Sequence, residues 1–505
     1  MSDPDTAFKS KEKRNWSRRA VLSASTMTML GIAGCSGDGE TETPAGDDPS
    51  DSSDNGAEAT DSPTATPESL DTLVFWDHHG DSDRASSQWI LDTGDQFSEE
   101  TGVEFEIEGH PDRLTEQVLT SYQTGDAPDV VHDFSEQLNE YIDAARIDES
   151  PLLPIDDYVS DLKSETYDLI WPGVTFDGNV YGVPQTINAR NWFYNESLVE
   201  EAGYDPSSLE PGSLDELSQL ITDIQENTDA NGWIWPGGAT SYNWYFPAHF
   251  MRTWFGTELT EPLVELNDGT TGLYGDLIEE GKSQSEVGMA EVVDVEVRAD
   301  SEEMIAAVQF MKDQHDQGYV PSEALSADNS ACLTEIFPNQ KVGLYFSGPW
   351  AYGLFDEHVS DFEWDTFAAP TQGSYNGVSG EGYFIAAPGK PLMVLDQTED
   401  PATVGKFIET WFSEERQRAF VQETGTLSVR PELNTEENFS IRQLAGLSDI
   451  VQQATYFDPP SLPEVDLWST VGSVVQRTIS NDEDVAQSMG DLQEALVGRY
   501  DDELN

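Results

Sequence analysis

Two stretches decide the fold: residues 71–79, Asp71-Thr72-Leu73-Val74-Phe75-Trp76-Asp77-His78-His79, and residues 124–133, Thr124-Gly125-Asp126-Ala127-Pro128-Asp129-Val130-Val131-His132-Asp133. Leu73 to Trp76 is a short apolar run bounded by polar residues, the pattern of a buried strand. A helical stretch follows from Ser87 to Glu100, closed by Gly102. Val103 to Ile107 then alternates like a second strand, 112–124 reads as a helix, and Pro128 to Val131 as a third strand. Strands alternating with helices predict an α/β domain built on a mainly parallel sheet. Ligands of open α/β sheets bind beyond the C-terminal strand ends. That rule singles out Asp77 and His79, with Trp76 closing the first strand, and Asp133 and Glu136 after the third.

Further along, Lys341 to Phe346 is a strand-like run ending in Ser347-Gly348-Pro349-Trp350, and Gly382 to Ala387 is another, preceded by Glu381. Pro401 to Val421 is predicted helical, and Val471–Ile479 and Val485–Val497 close the chain as helices. Several tryptophans stand beside turn residues: Trp233, Trp235, Trp244, Trp350 and Trp468. A tryptophan at a loop tip presents a flat apolar face at low entropic cost, suited to the C–H face of a sugar ring.

Before residue 71 the sequence reads as addressing. Lys9, Lys11, Lys13, Arg14, Arg18 and Arg19 precede a short apolar run, Val21 to Ala33, which ends in Ile32-Ala33-Gly34-Cys35. A basic region, a short apolar region and small residues before a cleavage point form an export signal. The run is shorter than the roughly 20 residues a membrane-spanning helix needs. Ser17-Arg18-Arg19 resembles a twin-arginine signal, and Ile32 to Cys35 resembles a lipobox, which makes Cys35 the lipidated residue and 1–34 the signal. Residues 35–70 are Ser, Thr, Pro, Gly, Asp and Glu with almost nothing to bury, and are expected to form a disordered acidic tether.

The 505-residue chain carries 97 Asp+Glu against 24 Lys+Arg, a formal net charge of −73. Such a charge repels polyphosphates and excludes nucleic acid as a partner. Molar salt shortens the Debye length to about 3 Å and removes most of the self-repulsion, which points to a halophilic, archaeon-like source. Two cysteines, Cys35 and Cys332, make no disulfide scaffold. No His-Glu-x-x-His and no Walker A loop occur, and Gly377-Val378-Ser379-Gly380-Glu381 misses the nucleophile-elbow pattern at its last position. His78 and His79, adjacent on a strand, would point to opposite faces. The expectation is a protein without catalytic residues, metal or cofactor.

The ordered motifs over about 71–505 resemble the extracellular solute-binding proteins of ABC sugar importers, the maltose-binding cluster. They are His110-Pro111-Asp112-Arg113-Leu114, Gly125-Asp126-Ala127-Pro128-Asp129, Asp177 to Pro184 followed by Phe193-Tyr194-Asn195 and Ala202-Gly203, and Gly348-Pro349-Trp350. The resemblance implies a type II periplasmic-binding-protein-like fold. Each lobe would be a mainly parallel sheet flanked by helices, with a hinge between lobes. The expected boundaries are 71–186 plus 378–432 for the N-terminal lobe and 187–377 plus 433–505 for the C-terminal lobe. It also implies that Trp350 and Trp468 stack on the ligand, that Asn188 makes a polar contact, and that Tyr242 and Trp244 fall in an aromatic contact region. Asp133 stands where the maltose type has an aromatic residue. The implied protein is a monomer on the outer face of the cell membrane. It captures a mono- or oligosaccharide and delivers it to an ABC permease, whose partner subunit hydrolyses the ATP. The alternatives are a polyamine, peptide or other cationic ligand, which Asp77, Asp133 and Glu381 would suit by charge, and a secreted carbohydrate-active enzyme. The sequons at Asn195 and Asn438 leave glycosylation open.

Overall fold

The computed structural model describes residues 70–78, 84–110, 114–134, 138–143, 151–176, 178–238, 240–266, 268–282, 287, 291–454 and 467–504. All of them belong to one compact unit, Thr66–Asn505. The export signal, Cys35, the tether, His79, Glu136 and the side chain of Trp468 lie outside the described residues.

The apolar run at 73–76 forms the centre of the first sheet. Thr72–Asp77 pairs in parallel with Glu104–Gly109 on one side and with Val130–His132 on the other. Pro391–Val394 returns antiparallel beside Val130–His132, and Gly182–Pro184 completes the five strands. The register places Asp77 directly opposite His132, so both residues stand at the C-terminal edge. The Pro-Asp motif has a structural purpose here. One carboxylate oxygen of Asp129 accepts from the Val74 backbone N–H at 2.9 Å and the other from the Thr398 hydroxyl at 2.6 Å, which ties the third strand to the first and to the returning segment. Helices Ala85–Thr101, Pro401–Trp411 and Glu414–Thr424 cover one face. Their apolar residues meet the sheet in an aromatic cluster of Phe75, Trp89, Phe407 and Trp411, with Phe75 stacked on Trp411 at 5.6 Å. Burying such rings, at 150–250 Å² each, is the main stabilising term.

The second sheet is mixed, in the order Trp364–Ala368, Asn191–Asn195, Val342–Ser347, Asn231–Ile234. The last pairing is parallel and the other two antiparallel. Ser347 lies opposite Asn191, which brings the segments Gly348-Pro349-Trp350 and Asn188-Ala189-Arg190 to one edge. Trp233 and Trp235 are wholly buried in this lobe's core, with the Trp235 indole N–H donating to Asn243 at 3.1 Å. Flanking turn residues thus marked the ends of a core strand for this pair and not a cleft rim.

Between the sheets, Ile187–Ala189 pairs antiparallel with Ala386–Pro388. These two segments carry the chain from the first lobe to the second and back. A third passage follows helix Glu414–Thr424, where Thr186 bridges Ser428. The return comes at 386–391, later than residue 378. Val378–Glu381 pairs with Gln372–Tyr375 and packs on Met251–Phe255 within the second lobe. No helix among the described residues is long and apolar enough to cross a membrane.

Candidate functional site

The C-terminal edges of both sheets and the paired crossover strands enclose a cleft of about 880 Å³. Asp77, His132 and Phe134 line it from the first lobe, Gln185, Asn188 and Lys390 from the crossovers, and Arg190, Tyr242, Trp244, Tyr245 and Trp350 from the second lobe.

On the first-lobe wall, the buried His132 ring places Nδ1 2.8 Å from an Asp77 carboxylate oxygen. Nδ1 is taken up by Asp77, and the other ring nitrogen, Nε2, is buried without a protein partner. Asp77 therefore acts by orienting His132 and compensating its environment. Asp133, expected as a ligand contact, is consumed inside the lobe. Its carboxylate accepts from the Thr115 hydroxyl, the Tyr141 hydroxyl and the Phe134 backbone N–H at 2.8–2.9 Å, and it does not line the cleft. Trp76 is likewise buried, its ring 4.2 Å from that of His110.

The second-lobe wall is aromatic. Helix Thr240–Phe250 presents Tyr242 and Tyr245 three residues apart on one face. Helix Trp350–His358 begins with Trp350, whose ring lies close against Gly348. A Cβ at 348 would stand 2.5 Å from that ring, so only glycine permits the approach. Arg190, the last residue before strand Asn191–Asn195, lies between the two walls of rings. Its guanidinium carbon is 3.5 Å from the Tyr245 ring centroid and 4.7 Å from that of Trp350. Behind Tyr245, His249 stacks at 5.5 Å and 23°, with Nδ1 3.2 Å from the Tyr245 hydroxyl. Complete burial, and then the nearby Arg190 and Arg252, hold His249 well below the usual histidine range. Burial also pushes the Tyr242 phenol up to about 12, against a smaller opposing pull from Arg190.

Of the sequence candidates, Asp77, Asn188, Tyr242, Trp244 and Trp350 line the cleft, and Trp76 and Asp133 do not. Glu381 is exposed on the Gln372–Glu381 hairpin, away from the cleft. The carboxylates that would have served a cationic ligand are therefore either engaged within the protein or elsewhere. Arg190, Gln185, His132, Tyr245 and Lys390 were missed. The sequence does hold one signal for Arg190: a cation is rare in a chain with 24 Lys+Arg among 505 residues, and this one stands between two strand segments.

Cys332 is buried and its thiol pushed up to about 12 by burial, an inert packing residue. Both sequon asparagines are buried. Asn195 caps helix Glu196–Glu201 by accepting from the Leu198 N–H, and Asn438 is held by Arg418 and by the Leu433 carbonyl. Among the described residues no group of three or more His, Cys, Asp or Glu is placed to hold a metal ion.

A two-lobed α/β protein with a wide cleft over paired crossover strands has the architecture of a solute-binding protein. The comparisons agree. Residues 93–443, well over half of the chain, match the family described as bacterial extracellular solute-binding protein, and the chain belongs to that family. It is 24% identical over 285 residues to an uncharacterized lipoprotein from the oleD 5′ region of Streptomyces antibioticus, covering 56% of this chain and 55% of that protein. It is 24% identical over 140 residues to the arabinooligosaccharide-binding protein of Halalkalibacterium halodurans, covering 27% of this chain and 30% of that one. The chain thus spans about half or less of the length of these curated relatives. Among solved structures, the GacH receptor of Streptomyces glaucescens GLA.O, studied unliganded and with acarbose, matches 86% of this chain and all of its own at TM-score 0.65 and 18% identity. An ABC transporter solute-binding protein from Thermotoga lettingae TMO bound with alpha-D-tagatose matches 85% of this chain and 99% of its own at TM-score 0.63 and 16% identity. At these identities the structural likenesses establish the fold. The family and these neighbours are binding proteins rather than enzymes.

Proposed function

We propose that the chain is the extracellular receptor of an ABC importer, tethered to the membrane through lipidated Cys35, and that it captures a sugar between its lobes as a monomer without turning it over. The observation that carries this is the pairing of aromatic faces with hydrogen-bonding groups across one cleft. Trp350 offers flat apolar area, while Gln185, Asn188 and His132 offer polar atoms from the crossover strands and the opposite lobe. Stacking plus directed hydrogen bonds is how a pocket recognises a ring that has an apolar face and a polar rim. Contacts made by both lobes at once favour closure around the ligand, and a permease then recognises the closed form. A micromolar dissociation constant requires about −8 kcal/mol, within reach of such contacts. The names of the arabinooligosaccharide-binding relative and of the acarbose- and tagatose-bound neighbours support a sugar. The basic run with Arg18-Arg19, the Ile32-Ala33-Gly34-Cys35 sequence and a lipoprotein relative support export and anchoring. The charge of −73 supports a high-salt habitat.

Calorimetric titration with a sugar panel, beside a hydrolysis assay, tests the reading. Saturable binding without product supports it, and product formation defeats it. Replacing Cys35 with Ser should release the protein from the membrane fraction, and retention there would defeat the anchor.

A further inference from the structure

Within the cleft, buried hydrogen-bond donors outnumber acceptors. Arg190 Nη1, Gln185 Nε2 and Trp350 Nε1 are all buried atoms of lining residues without a protein partner, beside one histidine nitrogen, His132 Nε2. Unpaired buried donors are costly, so a site that gathers several is complete only with an acceptor-rich ligand. Arg190 sharpens this. It forms no ion pair among the described residues, although the chain carries four times as many acids as bases. Its guanidinium carbon lies against the rings of Tyr245 and Trp350, 3.5 and 4.7 Å from their centroids, and its N–H donors lie along the edge of the guanidinium plane. That edge matches a carboxylate in two-point geometry. A second cation, Lys390, sits 4.6 Å from the Phe134 ring centroid on the other side of the cleft. The acids that line the cleft do not compete. Asp77 is paired with His132, and Asp356, Glu357 and Glu423 are exposed at the rim.

We infer that the ligand is an acidic sugar, a uronic acid or an oligosaccharide containing one, whose carboxylate meets Arg190 while its ring stacks on Trp350. This rests on the sugar-receptor reading and narrows it to a charge class, with Arg190 as the residue that sets specificity. It also suits molar salt, because a half-buried guanidinium is screened less than a fully exposed one.

The test is calorimetry in about 2 M NaCl with galacturonate, glucuronate and digalacturonate, each beside galactose, glucose and the uncharged glucuronamide. The expected result is that at least one uronate binds tenfold or more tighter than its neutral counterpart and than the amide. Arg190→Met should abolish that preference and Arg190→Lys should keep part of it, with both variants checked for an intact melting transition. A neutral sugar bound as tightly as its uronate would overturn the inference while leaving the sugar receptor standing. So would an Arg190→Met protein that keeps the preference. Binding of neither class would defeat both readings.

Discussion

Arg190 holds its guanidinium 3.5 Å above the ring of Tyr245 and 4.7 Å from that of Trp350, inside a cleft between two lobes. This placement follows from strand register. Ser347 pairs with Asn191, so the residues one step beyond, Gly348 and Arg190, meet at the same sheet edge, and the bare backbone of Gly348 lets the Trp350 ring come close.

Trp350→Ala should weaken ligand binding tenfold or more. It removes one stacking face from the ligand and one of the two rings that orient Arg190, and aromatic contacts of this kind are each worth about 0.5–1.5 kcal/mol beyond area burial. Trp350→Phe should recover much of the loss. Titration of both variants with the ligand of the wild-type protein checks this, and unchanged affinity in the alanine variant would remove Trp350 from the site.

The His132–Asp77 pair should prove structural as well as functional. His132→Leu leaves the Asp77 carboxylate, 2% exposed, without its 2.8 Å partner. Depriving a buried acceptor of a hydrogen-bond partner costs about 1–3 kcal/mol, so denaturant unfolding should show a loss of that order. The double variant His132→Leu/Asp77→Leu should recover part of it. A single variant as stable as the wild type would show that the pair carries no such linkage.

Stability should fall on the acid side through His249. Its folded-state pKa lies well below 6.5 because burial, and then Arg190 and Arg252, oppose its protonation. The unfolded chain therefore binds the proton first as pH drops. The stability this neutral histidine supports is fully present above about pH 6.5 and is lost progressively below it, by at most about 1.4 kcal/mol per pH unit. His78 is lowered in the same direction, chiefly by burial and then by Lys390. Unfolding free energies from pH 7.5 to 5 should slope more steeply in the wild type than in His249→Gln. Equal slopes would mean that His249 takes up its proton over the same pH range folded and unfolded, which would overturn the prediction.

The architecture was legible in the sequence where periodicity and motif agree. The run at 73–76 and the Pro-Asp-Val-Val strand became adjacent parallel strands, and the rule about C-terminal strand ends led to the edge where Asp77 does line the cleft. It misled at Asp133, because a strand end does not say whether the carboxylate points outward or back. Thr115 and Tyr141, on the flanking helices, turn it inward. Trp350 was legible through its Gly-Pro-Trp turn. Arg190 was not, because its place depends on a register between strands some 150 residues apart, which no local pattern encodes. Glu381 failed for a related reason: it pairs with Gln372 in a hairpin, exposed and apart from the residues that line the cleft.

Closure should be sensitive to a glycine contact between the lobes. Gly353, in helix Trp350–His358 of the second lobe, faces the end of helix Glu414–Thr424 of the first. A Cβ at 353 would stand 2.9 Å from the Thr424 carbonyl oxygen, and the Gly425 chain there has φ +66 with its own Cβ site 3.2 Å from the Gly353 backbone. Backbone meets backbone at this point, with no flexible side chain to give way. Gly353→Val must push the two helix ends apart by the width of a methyl group or more, and the displacement acts at the mouth of the cleft that Trp350 lines from the same helix. The folded lobes keep their cores, so the melting temperature should change little. Ligand affinity should fall about tenfold, which corresponds to about 1.4 kcal/mol of closure free energy. The radius of gyration of the ligand-saturated variant, measured by small-angle scattering, should exceed that of the saturated wild type. A variant that binds as tightly and contracts as far as the wild type would show that Gly353 and Thr424 do not meet in the ligand-bound state.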